Sequence, residues 1–277
     1  PGGPAPDPDD YIRLANYLTS EREYMRRTLM NSLLETLRDN LRFLDRVAVF
    51  EIARVYLPRP DRELPDEPRR LCIAMSGPRH QAHWTGAGTG QLDFYDLKGV
   101  VEMLLDRLRI TGCRFAPTVH ATFQQGRAAK LLIGDATIGV MGEVDPAVRE
   151  SFDLPAQRVC LLELDLEALL AEAPSMYYYH PVSRFPAATR DLALIVDEGL
   201  PAGQVRDAIV EAGGNLLQRV ELFDVYRGEQ VPPGKKSLAC TIAFQAMDRT
   251  LTDEEVNRLQ SKMQRKLEDM FGAQLRS

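Results

Sequence analysis

KKSLACTIAFQAMDRTLTDEEV, Lys235 to Val256, reads as a strand that leads into a capped helix. Leu238, Cys240, Ile242 and Phe244 alternate with Ser237, Ala239, Thr241, Ala243 and Gln245. Successive strand residues point to opposite faces, so one face is apolar and the other small or polar. Thr252 stands three residues before Glu255, the spacing of a capping box, and opens a helix from Asp253 to about Met270. Gly272 stops that helix, and Ala273 to Arg276 can add a last strand. Working backwards, LFDVYRG (Leu222 to Gly228) lies in a strand from Leu217 to Arg227. A helix fits Ala202 to Ala212, ended by Gly213-Gly214, and a strand fits Asp191 to Val196. The order βαββαβ builds a four-stranded antiparallel sheet with both helices on one face and the other face open.

Asp224 and Tyr226 are two apart on one strand and share a face. Simple alternation sends Phe223 and Val225 toward the helices and Asp224 and Tyr226 outward, with Leu222 outward against the pattern. An exposed aromatic can stack a nucleobase, worth about 1–3 kcal/mol. A carboxylate accepts but does not donate, so it suits a donor edge such as that of guanine. Ser237 joins this face, and Arg184, Arg190, Lys235, Lys236, Arg249 and Arg276 are the candidate phosphate contacts. The plainer reading makes Tyr226 an ordinary strand aromatic among solvated cations.

The first part of the chain reads differently. A capping box at Thr19 or Ser20 with Glu23, followed by Leu29, Leu33, Leu34, Leu37 and Leu41, predicts a helix to about Asn40. VAVFEIARVYLP (Val47 to Pro58) and LCIAMSG (Leu71 to Gly77) are β-rich. A second helix is expected from Asp96, with Leu97, Val100, Val101, Leu104, Leu105 and Leu108 on one stripe. RAAKLLIGDATIGVMGEV (Arg127 to Val144) is a hairpin turning at Gly134-Asp135, and RVCLLELDLEALLAE (Arg158 to Glu172) a strand running into a helix. The Leu97 stripe is expected to pack within the chain, and the Tyr24 to Asn40 helix against a partner.

With 277 residues the chain has room for two domains. The reading places one at 1–176, a linker at 177–183 and a second at 184–277. PGGPAPDPDD reads as a flexible lead-in, and the chain as a fragment or processed product. The net charge of −6 argues against a generic electrostatic hold on DNA or a membrane surface. No apolar run reaches membrane-spanning length. Cys72, Cys113, Cys160 and Cys240 are scattered, without zinc spacing, as expected of reduced cysteines in a cytoplasmic protein.

RDLALIVD, LFDVYRG, KKSLA, FQAMDRTLTDEEV and the final LR, in this order, resemble the ferredoxin-fold anticodon-binding domain of the bacterial phenylalanyl-tRNA synthetase beta-subunit family. Upstream, YMRRTLMNSLLETLRDN, VAVFEIARVY, DFYDLKGVVEMLL and IGVMGEVDP resemble the catalytic-like module of the same family. Two departures stand out: Asn31-Ser32 where relatives usually carry Pro-Gly, and Gln124-Gln125 before Gly126-Arg127 where they carry His-Pro. The fold expected is α+β, a class II synthetase-like antiparallel sheet module followed by a ferredoxin-like βαββαβ domain.

The resemblance implies that Asp224 and Tyr226 contact the first anticodon base, a guanine. It also implies a catalytic alpha subunit as partner in an (αβ)₂ heterotetramer that charges tRNA with phenylalanine, using ATP and Mg²⁺. This chain is expected to bear no catalytic or metal-binding residue and to bind no cofactor itself. The ATP-binding arginine of class II enzymes needs a Phe-Arg-x-Glu setting, whereas Phe50-Glu51-Ile52-Ala53-Arg54 has the letters in another order. Gly86, Gly88 and Gly90 are followed by no Glu-Arg pair. Two competitors are a stand-alone enzyme of synthetase fold and an amino-acid-binding regulatory module of ferredoxin-like fold.

Overall fold

The computed structural model describes residues 10–17, 19, 23–62, 64–80, 83, 84, 90–176, 179 and 181–276. Ser20 of the expected first cap, residues 86–89 of the glycine loop, most of the lead-in and part of the expected linker lie outside the described residues. The chain divides into two compact units, Pro1–Tyr177 and Tyr178–Ser277.

The first unit has the order α1 (Met30–Leu41), β1 (Val47–Arg54), β2 (Arg69–Ser76), α2 (Phe94–Arg107), β3 (Cys113–Pro117), β4 (Phe123–Ile133), β5 (Ala136–Val144), α3 (Pro146–Ser151), β6 (Val159–Asp165) and α4 (Leu166–Ala171). Its six strands form one antiparallel sheet in the order β1-β2-β6-β5-β4-β3. Alternation splits the central strands between two cores. Leu71, Ile73 and Met75 of β2 meet α2 and α4 on one face. Cys72 and Ala74 meet α1 on the other. The Gly134 turn is as expected, with φ +58° at Gly134, while the short β3 was not foreseen.

Two readings of this unit are corrected. The first helix starts at Met30, ten residues later than its expected cap. Among the described residues before it, Arg13 and Tyr24 form an isolated bridge, and Arg26 bonds Glu51 Oε1 at 2.8 Å and the Arg54 carbonyl at 3.1 Å. The helix is capped from a distance. Glu163 on β6 accepts from the Leu29 amide and the Thr28 hydroxyl, both at 2.7 Å. A carboxylate at the positive end of a helix is favourable. Secondly, the leucine stripe of α1 is not offered to a partner. Leu33, Leu34 and Leu37 are buried within this chain. The α2 stripe packs within the chain as expected, through Leu97, Val101 and Leu105, and starts two residues early because Asp93 and Asp96 form its capping box.

The second unit comprises β7 (Ala188–Asp197), α5 (Ala202–Gly213), β8 (Leu217–Tyr226), β9 (Lys235–Phe244), α6 (Asp253–Phe271) and β10 (Gln274–Leu275). The antiparallel order β10-β7-β9-β8 is that of a ferredoxin-like βαββαβ sheet. Leu192, Leu194 and Val196 of β7 and Leu238, Ile242 and Phe244 of β9 pack on Val205 and Ile209 of α5 and Met263 and Leu267 of α6. The α6 capping box forms, and Gly272 closes the helix at φ +61°.

Strand β8 is an edge, not a central strand. It departs from regular pairing between Leu217 and Arg219 and again between Leu222 and Asp224. Each departure adds one residue that has no opposite number. Direct cross-strand partners share a face, so Val220, Leu222 and Val225 join Ile242, Cys240 and Leu238 on the helix side. Glu221, Asp224 and Tyr226 join Thr241, Ala239 and Ser237 on the open side. The expected outward Leu222 is thus corrected, and Phe223, expected inward, is the unpaired bulge residue and 57% exposed.

Candidate nucleic-acid interface

Two rows of residues cross the open face side by side. One runs Gln274, Ile195, Ser237, Tyr226, and the next has Ala193, Ala239 and Asp224 in register. The Arg276 amide bonds the Ala193 carbonyl at 2.9 Å, which continues the second row to the β10 edge. The two alanines leave the centre of the face low, so long side chains from both edges can lie across it. They do: the Arg276 guanidinium sits 4.6 Å from the centre of the Tyr226 ring, a cation–π contact. Its Nη2 also donates to Gln230 Oε1. Ser237, beside Tyr226 in register, is 2% exposed. The Asp224 side chain is exposed and has no hydrogen-bond or ion-pair partner among the described residues.

Gly228 completes the setting and was missed as a functional position. A Cβ there would lie 2.6 Å from Tyr226 Cζ and closer still to the hydroxyl, so the ring rests against the bare backbone. The sequence signal was the glycine two residues after the tyrosine. Ala193 and Ile195 of β7 were also missed as floor residues.

The proposed cations separate into distinct environments. Arg276 and Lys235 are on the open side, Lys235 paired with Asp197 at 2.9 Å. Arg190 pairs in register with Ile242 and therefore faces the helices, where it bonds Asp253 at 2.6 Å. Lys236 also points that way, is buried, and donates to the Glu198 carbonyl at 2.7 Å; desolvation pushes its pKa below the usual lysine value. Arg249 is held by Asp248 and by Glu255 of the α6 capping box. Arg184 is exposed at the far end of the sheet, where Ser183 bonds the Ala246 carbonyl. Ala246 lies beyond the end of β9, whose Phe244 is seven residues along from Ser237, roughly 23 Å of strand. The structure thus gathers Asp224, Tyr226, Ser237, Arg276 and Lys235 on one face, and places Arg184, Arg190, Lys236 and Arg249 elsewhere.

In the first unit, charged groups near the sheet neutralise one another. Glu143, 6% exposed, receives Arg127 at 2.6 Å and Arg158 at 3.2 Å. Asp145 caps α3. Glu51 holds Arg26 and Ser32, Arg70 meets Asp165 and Arg79 meets Asp93 and Asp96. Burial raises the Cys160 thiol to about 12 and that of Cys240 to about 11, so neither is a ready nucleophile. Among the described residues no helix is long and apolar enough to cross a membrane.

Comparison with known proteins bears directly on both units. Residues 4–166 match the model for the "Phenylalanyl tRNA synthetase beta chain CLM domain", and residues 183–276 that for the "Ferredoxin-fold anticodon binding domain". The chain is 41% identical over 96% of its length to the phenylalanine–tRNA ligase beta subunit of Symbiobacterium thermophilum, covering 30% of that protein. It is also 41% identical to the beta subunit of Moorella thermoacetica, over 96% of this chain and 33% of that protein. The Bacillus subtilis beta subunit is 36% identical over 95% of this chain and 33% of its own length. A solved pyrrolysyl-tRNA synthetase from Desulfitobacterium hafniense shows a slight likeness, with TM-score 0.44 and 16% identity over 58% of this chain and 52% of that one. The chain spans about a third of the length of these curated relatives. Matches to both family models, in sequence with the two units that the fold separates, and identity across nearly the whole chain mean that it belongs to the phenylalanine–tRNA ligase beta-subunit family.

Proposed function

We propose that this chain is the part of a phenylalanine–tRNA ligase beta subunit that reads the tRNA anticodon and supports the catalytic alpha subunit. The carrying observation is the open sheet face, where Asp224 and Tyr226 stand beside an alanine floor with Arg276 over the ring. A guanine at the first anticodon position stacks on Tyr226 and donates from its N1–H and N2–H₂ edge to Asp224. The guanidinium now stacked on the ring holds the place of the base and turns to a phosphate when the base arrives.

The first unit serves assembly rather than adenylation. Arg26, Arg70 and Arg127 beside its sheet are engaged with carboxylates, which supports placing ATP, Mg²⁺ and phenylalanine on the alpha subunit of an (αβ)₂ class II enzyme in the cytoplasm. The face offered to that subunit includes Phe50 and Ile52 on the edge strand β1, 69% and 50% exposed.

Binding of the tRNA anticodon stem-loop to the assembled ligase tests the platform. Tyr226→Ala and Asp224→Ala should each weaken binding by about tenfold or more, since 1.4 kcal/mol is a factor of ten. Inosine in place of the first anticodon guanine removes the 2-amino donor, and Asp224→Ala should abolish the penalty of that replacement. Parent-like binding by both variants refutes the platform.

A further inference from the structure

We propose that the outward face of α6 holds the phosphate backbone of the same RNA whose base rests on Tyr226. This rests on the anticodon reading and extends it to a second surface, on the other side of the sheet. Arg258, Lys262 and Arg265 follow one another at helical spacings of four and three residues, so they share one side of α6. All three are exposed, and none has an ion-pair or hydrogen-bond partner among the described residues. Several other cations of the unit are paired: Arg190 meets Asp253, Arg227 meets Glu198 and Lys266 meets Glu211. Like charges at i, i+4 destabilise a helix slightly. These three lie in its middle turns, beyond the reach of the favourable field at its C-terminus. Glu254 and Asp269 stand four residues from Arg258 and Arg265, yet neither forms an ion pair with them among the described residues, which leaves the stripe open to an anionic partner.

The surroundings select the partner. A shallow crevice joins α6 to the sheet edge, lined by Ser261 and Arg265 on the helix and by Gln274 and Leu275 on β10. The next residue, Arg276, reaches from that edge across the open face to Tyr226. Cations thus mark a route from α6, round the β10 edge, to the stacking ring. Two carboxylates, Glu268 in the crevice and Asp269 beside the stripe, lie on the following turn. On the open face Glu221 is paired with Arg219 and Lys235 with Asp197, while Asp224 beside the ring is unpaired and disfavours a phosphate there but not a base. A single RNA strand satisfies both demands, with its base on the face and its phosphates drawn over the edge. From Arg258 to Arg265 the helix rises about 10 Å.

The test uses the assembled ligase, its beta subunit carrying Arg258→Gln, Lys262→Gln and Arg265→Gln together. Probes are two tRNA transcripts, one with guanine and one with adenine at the first anticodon position, titrated over a range of salt. Loss of three phosphate contacts should weaken both transcripts by the same factor and flatten the log K against log salt slope by about 2 to 3. The affinity ratio between the transcripts should stay at the parental value. Tyr226→Ala should do the converse, shrinking the ratio while leaving the slope within about one unit of the parent. An unchanged slope in the triple variant overturns the proposal. So does loss of the alpha subunit on gel filtration with the slope intact, which assigns the face to protein contact. A flattened slope together with a Tyr226→Ala variant that keeps the parental ratio upholds the α6 surface and refutes the base platform.

Discussion

Gly228 shows how much of this site depends on an atom that is missing. The Tyr226 ring lies where a Cβ of residue 228 would be, and its other neighbour is the Arg276 guanidinium. Gly228→Ala therefore pushes on the far end of a flexible side chain and not on backbone. Its cost in stability should be small, below about 1 kcal/mol, because the ring can swing away. Its effect on anticodon stem-loop affinity should approach that of Tyr226→Ala, because the swung ring no longer lies over the floor. Denaturant unfolding and RNA titration of the same variant separate the two; parental affinity would show that the glycine does not set the ring. At this scale the acid and the aromatic were legible, since a spacing of two on a strand puts both on one face. The glycine contact was not, because close approach depends on a loop path that no periodicity encodes. The roles of Arg190 and Lys236 were also illegible, since proximity in sequence does not reveal which face a cation takes.

One long-range and one local cap mark the limits of reading elements. Thr252 and Glu255 lie three residues apart, so the start of α6 could be read directly. The start of α1 could not, because the group that receives the Leu29 amide is Glu163, 134 residues away. A local candidate at Thr19, Ser20 and Glu23 drew the predicted helix too far upstream. Glu163→Ala removes the acceptor for one amide and one hydroxyl at the half-buried helix entrance. Its expected cost is about 1–3 kcal/mol. Urea unfolding should show a lower midpoint, and amide exchange at Leu29 should quicken. The RNA platform, in the other compact unit, should keep its affinity. An unchanged midpoint would mean that water replaces the carboxylate at no loss.

For the molecule as a whole, the division into a larger sheet module and a ferredoxin-like unit was legible, because each half has its own order of strand and helix patterns. The surface left for a partner was misjudged. Hydrophobic periodicity shows that α1 has an apolar stripe but not what covers it, and the chain covers it itself. Among the apolar residues left exposed are two on β1, Phe50 and Ile52, which pair with Ile73 and Leu71 yet stay uncovered at the sheet edge. Phe50→Asp should change the stability of this chain by less than about 0.5 kcal/mol, as expected for an exposed position. It should sharply reduce the alpha subunit recovered with the beta subunit on co-purification. Equal recovery would remove β1 from the proposed contact.

The two bulges of β8 also bear on how its length can vary. Gln218 and Phe223 are the residues without a partner in the ladder, and the residues flanking each already alternate correctly across it. Excising either one would straighten the strand and leave every remaining side chain on its present face. Excising Val225 instead would put Asp224 and Tyr226 out of phase with each other. Length can therefore change at these two positions without moving Asp224 and Tyr226 off their shared face.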